Sequence, residues 1–237
     1  MWWAAGLAAA LVGLGKNGLP GLGILVVPLM AYAFPARESV GILLPMLVVG
    51  DVMAIAIYRR HAQWRTLLGL LPYVLAGMIA AAFLLARIDD ATMRPLLGGL
   101  ILLLLAIELL RMRFPWQRLP HHPAFVGTIG ASAGFATTLG NAAGPIMSLY
   151  FLSRGLPKHQ FVGTAAWFFF VVNCSKLPIY AHLGMITPDT LRLNAALIPL
   201  IVAGGWLGVR LLPVIPQHLF NKLVLALTAL AAIGLLW

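Results

Sequence analysis

Three charged side chains lie at least five residues inside long apolar runs of this chain: Lys16, Asp51 and Lys176. A charge at such a depth costs roughly 3 kcal/mol or more, so it pairs, faces a wet cavity or does chemistry. Lys16 can pair with a carboxylate, snorkel, or hold an anion. Lys176, five residues before the end of its run, has the same options, with snorkelling favoured by its position. Asp51 is the one carboxylate deep in an apolar run; it can anchor structure, carry a proton or tune Lys16. Around Lys16 the chain reads GLGKNGLPGLG over 13–23, and a second run, 137–145, reads TTLGNAAGP. Glycines at 18, 21, 140 and 144 permit close backbone approach. Asn17, Asn141, Thr137, Thr138 and Ser148 add hydrogen-bonding groups, although small polar residues also serve helix packing and capping. Lysines, amides and the exposed N–H groups of helix N-termini together suit a small oxyanion.

Other chemistries find little support. The six histidines lie in or beside loops without His-Glu-x-x-His spacing, and there is no nucleotide-binding signature or nucleophile elbow. Cys174, the single cysteine, sits in an apolar run, so disulfides are not expected. No enzyme activity and no metal site are expected. The net charge of +10 is scattered singly through short loops, which is a membrane-protein pattern and not a nucleic-acid footprint.

Composition explains what must position these residues. Hydrophobic residues make up 62% of the chain and charged ones 9%, against about 25% charged in soluble domains. Apolar segments fall at 1–33, 39–58, 66–86, 93–111, 123–153, 160–181, 191–214 and 219–237. Most are long enough for one crossing. The first and fifth would make helices of about 50 and 46 Å, too long for one crossing, and glycine and proline interrupt both. Each is therefore expected to be two half-helices meeting at an unwound tip, with irregular backbone sheltered by protein or lining a cavity. Trp2, Trp3, Tyr58, Trp64, Trp116, Tyr180 and Trp237 sit at segment ends, as interfacial anchors do. The run Trp167–Phe170 reads as packing or lipid contact. The Met-Trp-Trp start lacks a basic region, so no removable signal peptide is expected.

The chain also repeats. At an offset of 122, Pro35, Val40, Gly41, Val49, Ile57 and Tyr58 meet identical residues at 157, 162, 163, 171, 179 and 180, while Glu38 meets Gln160 and Asp51 meets Asn173. Upstream, an offset of 117 pairs Gly13 with Gly130, Gly23 with Gly140 and Pro28 with Pro145. Residues 1–115 and 123–237 thus read as two repeats of one all-α membrane domain. If both broken elements return to the side they entered from, Arg59, Arg60, Arg65, Arg111, Arg113, Arg118, Arg154, Lys158, Arg210 and Lys222 share one side. Arg37, Arg87, Arg94 and Arg192 share the other. That asymmetry puts the first group in the cytoplasm and both termini outside. It makes the halves inverted repeats, each a re-entrant hairpin plus three crossings, with the tips meeting at midplane.

The run Gly13–Pro28 resembles the glycine-rich first-repeat motif of the TauE/SafE sulfite exporter family. The runs Gly140–Leu152 and Gly163–Trp167 resemble its second-repeat motif. The resemblance covers essentially the whole chain. It implies a bacterial inner-membrane transporter of small sulfur-containing anions, such as sulfite, sulfoacetate or other organosulfonates, without a bound cofactor. Lys16-Asn-Gly-Leu-Pro-Gly21 stands where many relatives carry consecutive glycines. The expected function is a secondary exporter working by alternating access. Lys16, Asn17, Gly18, Gly21, Thr138, Gly140, Asn141, Gly144 and Lys176 would hold the anion, and Asp51 with Asn173 would couple ion movement. A passive anion channel and a subunit of a sulfur-relay complex are the alternatives; a homodimer or partner subunit stays open.

Overall fold

A computed structural model describes residues 2–18, 22–113, 122–156 and 158–211. Gly21, Pro157, Arg118, Lys222 and the eighth apolar segment, 219–237, lie outside the described residues. Within them the chain is helical: α1 (Trp2–Asn17), α2 (Leu22–Ala33), α3 (Ala36–Tyr58), α4 (Trp64–Leu85), α5 (Asp90–Arg113), α6 (Pro123–Gly140), α7 (Gly144–Ser153), α8 (Lys158–His182) and α9 (Pro188–Leu211). Five of these, α3, α4, α5, α8 and α9, are long and apolar enough to cross a membrane. Leu68, Leu75, Ile79 and Phe83 on α4 and Ile198, Leu200, Val202 and Trp206 on α9 remain exposed. That is the surface a bilayer would cover, because lipid tails impose no penalty on exposed apolar side chains. The chain is a multi-pass membrane protein.

The first and fifth apolar segments are each broken, as their glycines and prolines foretold. α1 ends at Asn17, and α6 ends at Gly140, where Asn141 takes a left-handed conformation (φ 54°) and caps the helix through its N–H to Ala136 and Thr137. Asparagine tolerates that conformation better than most side chains. Trp2, at the start of α1, and Phe34, just past the end of α2, line one cavity together with Glu38 and the Thr187–Leu193 stretch. Both ends of the first broken element thus border this cavity. Val126, near the start of α6, and Arg154, just past α7, line a cavity at the opposite end with Arg65 and Thr66. These two ends are called here the Glu38 end and the Arg65 end. Arg37 ties the α2–α3 and α4–α5 loops together at the Glu38 end. Its N–H donates to Asp90 and its guanidinium to the carbonyls of Leu85 and Ile88. Nearby, hydrogen bonding from Thr92 holds the exposed Asp89 carboxyl below its usual range.

The closest helix pairs are α1 with α9 and α4 with α6, and their contacts repeat. Gly6 meets Leu200 as Gly127 meets Tyr73; Ala10 backs onto Gly204 as Ala131 backs onto Gly77; Gly13 faces Ile201 as Gly134 faces Val74. In the last two kinds of contact a side chain on the glycine would collide with the neighbouring backbone. Small residues here let backbones touch, which drives helix association when lipid removes the hydrophobic incentive. The matching offset is 121 for α1 onto α6 and 127 for α4 onto α9. The offset of 117 expected upstream is thus corrected to 121: Gly13 corresponds to Gly134, not Gly130. In a stretch of alanine, glycine and leucine, several registers match by identity, and only packing distinguishes them.

Candidate functional site

α3 and α8 cross antiparallel at the centre. Gln63 beyond α3 meets Thr164, Asp51 meets Asn173, and Gly41 lies against Met185 beyond α8. Asp51 and Asn173, the repeat mates at offset 122, therefore touch each other: the Asn173 amide donates to the Asp51 carboxylate at 2.6 Å. The other Asp51 oxygen pairs with the Lys16 ammonium at 2.6 Å. Asp51 is wholly buried, and Lys16 is 16% exposed. The stem of Lys16 passes beside Gly50, where a Cβ would stand 3.1 Å from its Cγ. Its ammonium also lies 4.2 Å from the centre of the Phe169 ring, a favourable cation–π placement. Of the readings open for Lys16, the carboxylate pair is the one observed.

Lys176, one turn beyond Asn173 on the same face of α8, behaves differently. It does not snorkel; it is fully buried. Its three N–H bonds go to the Thr137 carbonyl at 3.0 Å, the Thr137 hydroxyl at 2.9 Å and the Asn141 side-chain oxygen at 2.5 Å. All three acceptors are neutral and belong to the second break. Asn141 in turn donates its amide to the Val40 carbonyl of α3 at 3.0 Å. Three residues past Asn141 α7 begins at Gly144, where a Cβ would meet nothing within 4 Å. First-turn N–H groups have no partner within their own helix.

The two breaks share one device that sequence reasoning missed. The Tyr58 hydroxyl donates to the Asn17 carbonyl at 3.2 Å, and the Tyr180 hydroxyl donates to the Thr138 carbonyl at 2.7 Å. The tyrosines are mates at offset 122 and their acceptors at offset 121, so each caps a carbonyl that its broken helix leaves unpaired. Tyr180 is completely buried, which corrects its reading as an interfacial anchor. Its identity with Tyr58 in the repeat was the available signal. Phe169, in the run read as packing or lipid contact, likewise faces Lys16.

The remaining expected residues divide. Asn17 turns its amide back to the Gly13 carbonyl at 3.0 Å, and its buried side-chain oxygen has no hydrogen-bond partner among the described residues. Thr138 has a buried hydroxyl without one. Gly18 is needed because α9 passes so close that any side chain would strike Gly208. A Cβ at Gly140 would come within 2.7 Å of the flexible Leu97 side chain. Ser148 sits one turn into α7. Among the described residues no cluster of three metal-ligating side chains occurs.

One broken helix carries Lys16 at its tip and the other holds Lys176 of α8, in a bundle of membrane-length helices. The sulfite exporter TauE/SafE family profile matches residues 4–235, nearly the whole chain. The chain belongs to the sulfite exporter TauE/SafE family. No curated protein and no solved structure is significantly similar to it. Membership places it in a family of membrane transporters described as sulfite exporters.

Proposed function

We propose that this protein is a secondary transporter that exports sulfite, or a close relative such as sulfoacetate or another organosulfonate, by alternating access. The observation that carries this reading is Lys176: a fully buried ammonium held by three neutral oxygens. Lys16 pairs directly with Asp51; Lys176 makes its direct contacts, among the described residues, with neutral oxygens alone. Burying an ammonium without an opposite charge is costly, and a bound anion between Lys176, Asn141 and the N-terminus of α7 supplies that charge. Asp51, shared by Lys16 and Asn173, is the group that couples transport to protons.

In this reading residues 1–115 and 123–237 are inverted repeats related by an axis through the Asp51–Asn173 contact. The antiparallel crossing of α3 and α8, the repeated glycine contacts and the opposite entry ends of α1 and α6 support it. The Arg65 end faces the cytoplasm of a bacterial cell, since the backbone places residues 59, 60, 65, 111, 113, 154, 158 and 210 there. Residues 37, 87, 94 and 192 lie at the Glu38 end. The N-terminus is then outside. Proteoliposomes loaded with unlabelled sulfite should accumulate labelled sulfite by counterflow, and an inward or outward pH gradient should drive net flux uphill. Downhill flux without either behaviour would make the protein a channel. Counterflow against thiosulfate, sulfoacetate, taurine and sulfate ranks the substrates.

A further inference from the structure

The cavity at the Arg65 end has a volume of about 260 Å³ and is lined by Arg65, Thr66, Gly69, Val126, Tyr150 and Arg154. Arg154 stacks over Tyr150, its guanidinium carbon 5.0 Å from the ring centre. Arg65 has no ion pair or hydrogen bond from its guanidinium among the described residues. The cavity at the Glu38 end, of about 580 Å³, provides an internal comparison. Under the offset of 127, Arg192 and Leu193 there correspond to Arg65 and Thr66. Arg192, however, pairs with Asp189 at 3.0 Å, and Glu38 shares the lining. Three residues before Arg65 stands Ala62, where Asp189 precedes Arg192, and the offset-122 mate of Glu38 is Gln160. At these two positions the carboxylates of the Glu38 end have no counterpart at the Arg65 end.

We infer that the Arg65 cavity is a loading site for a small divalent oxyanion, distinct from the buried site at Lys176; this rests on the transport reading above. A guanidinium offers a planar fork that grips two oxygens of one anion. The Thr66 side chain adds a hydroxyl to the lining, and Gly69 and Val126 form an apolar wall. A cationic mouth raises the local concentration of anions by about 10- to 1,000-fold in a salt-dependent manner. At the other end, Asp189 satisfies Arg192, and Glu38 repels anions. The two mouths therefore differ in the sense that favours collection at the Arg65 end and release at the Glu38 end.

Equilibrium binding of sulfite to the full chain in phosphatidylcholine nanodiscs tests this. Two sites per chain are expected, one removed by Arg65→Gln and the other by Lys176→Met; Arg65→Lys should restore only part of the first. With sulfite supplied at the Arg65 end, Arg65→Gln should raise the half-saturating concentration about tenfold and leave maximal flux within about twofold, an effect on binding of about 1.4 kcal/mol. Two sites persisting in Arg65→Gln would overturn the loading site and leave the transport reading intact. One site lost in Arg65→Gln with none lost in Lys176→Met would do the reverse. Addition of phosphatidylglycerol separates a soluble anion from a lipid phosphate. If that lipid abolishes sulfite binding at Arg65, the arginine serves headgroups and the inference fails. Absence of any sulfite binding by the unaltered chain overturns both.

Discussion

The two breaks occupy equivalent places and are capped by equivalent tyrosines, yet their charges are arranged oppositely. At the first, the cation rides on the broken helix itself, as Lys16, and α3 answers with Asp51. At the second, the Lys16 position holds Thr137, the Asp51 position holds Asn173, and the cation arrives from α8 as Lys176. The first break is thus electrically closed and the second is open. Under the proposed reading, the two breaks keep one hydrogen-bonded frame while the first serves coupling and the second binds the anion. The Asp51–Asn173 contact joins them, so a change in the charge of Asp51 is felt by both.

That comparison can be broken most forcefully at the closed break. Lys16→Met or Asp51→Asn alone should destabilise the protein by about 3–5 kcal/mol, since either leaves a buried charge alone. Replacing both with apolar residues, Lys16→Met with Asp51→Leu, should recover most of the loss. Thermal unfolding in detergent reads this, and equal damage in the single and double variants would deny the pair its role. Asp51→Asn should also retain downhill sulfite flux while losing accumulation driven by a pH gradient. At the open break, Lys176→Met should lower sulfite flux on the order of 100-fold, about 2.7 kcal/mol, with the protein still monodisperse. The tyrosine caps sharpen the picture at smaller scale. Tyr180→Phe, which orphans a buried carbonyl, should cost about 1–3 kcal/mol, and Tyr58→Phe, at a half-buried site, about 0.5–1.5 kcal/mol. A larger loss at Tyr58 would contradict the expectation that the more buried cap contributes more.

Much of this organisation was legible beforehand. Glycine and proline inside over-long apolar runs exposed both breaks, because backbone geometry is a local matter. The pairing of Asp51 with Asn173 could be read as equivalence, but not as contact. That needs α3 and α8 to cross at those residues. The register of α1 on α6 was misread because Gly13 finds glycine at both 130 and 134, and only the approach of Val74 selects the second. A pairing of Asp51 with Lys16 was among the open readings, but the two are 35 residues apart in the chain and their contact depends on helix packing. Tyr180 was misjudged because a tyrosine at a segment end looks the same whether it faces headgroups or a broken helix.

Sulfite binding at equilibrium, compared between Lys176→Met and the neutralised pair variant Lys16→Met with Asp51→Leu, separates the open break from the closed one most directly. Binding abolished in the first and kept within a few-fold in the second is the predicted result. Binding kept in Lys176→Met and lost in the pair variant would contradict it and move the anion site to the first break.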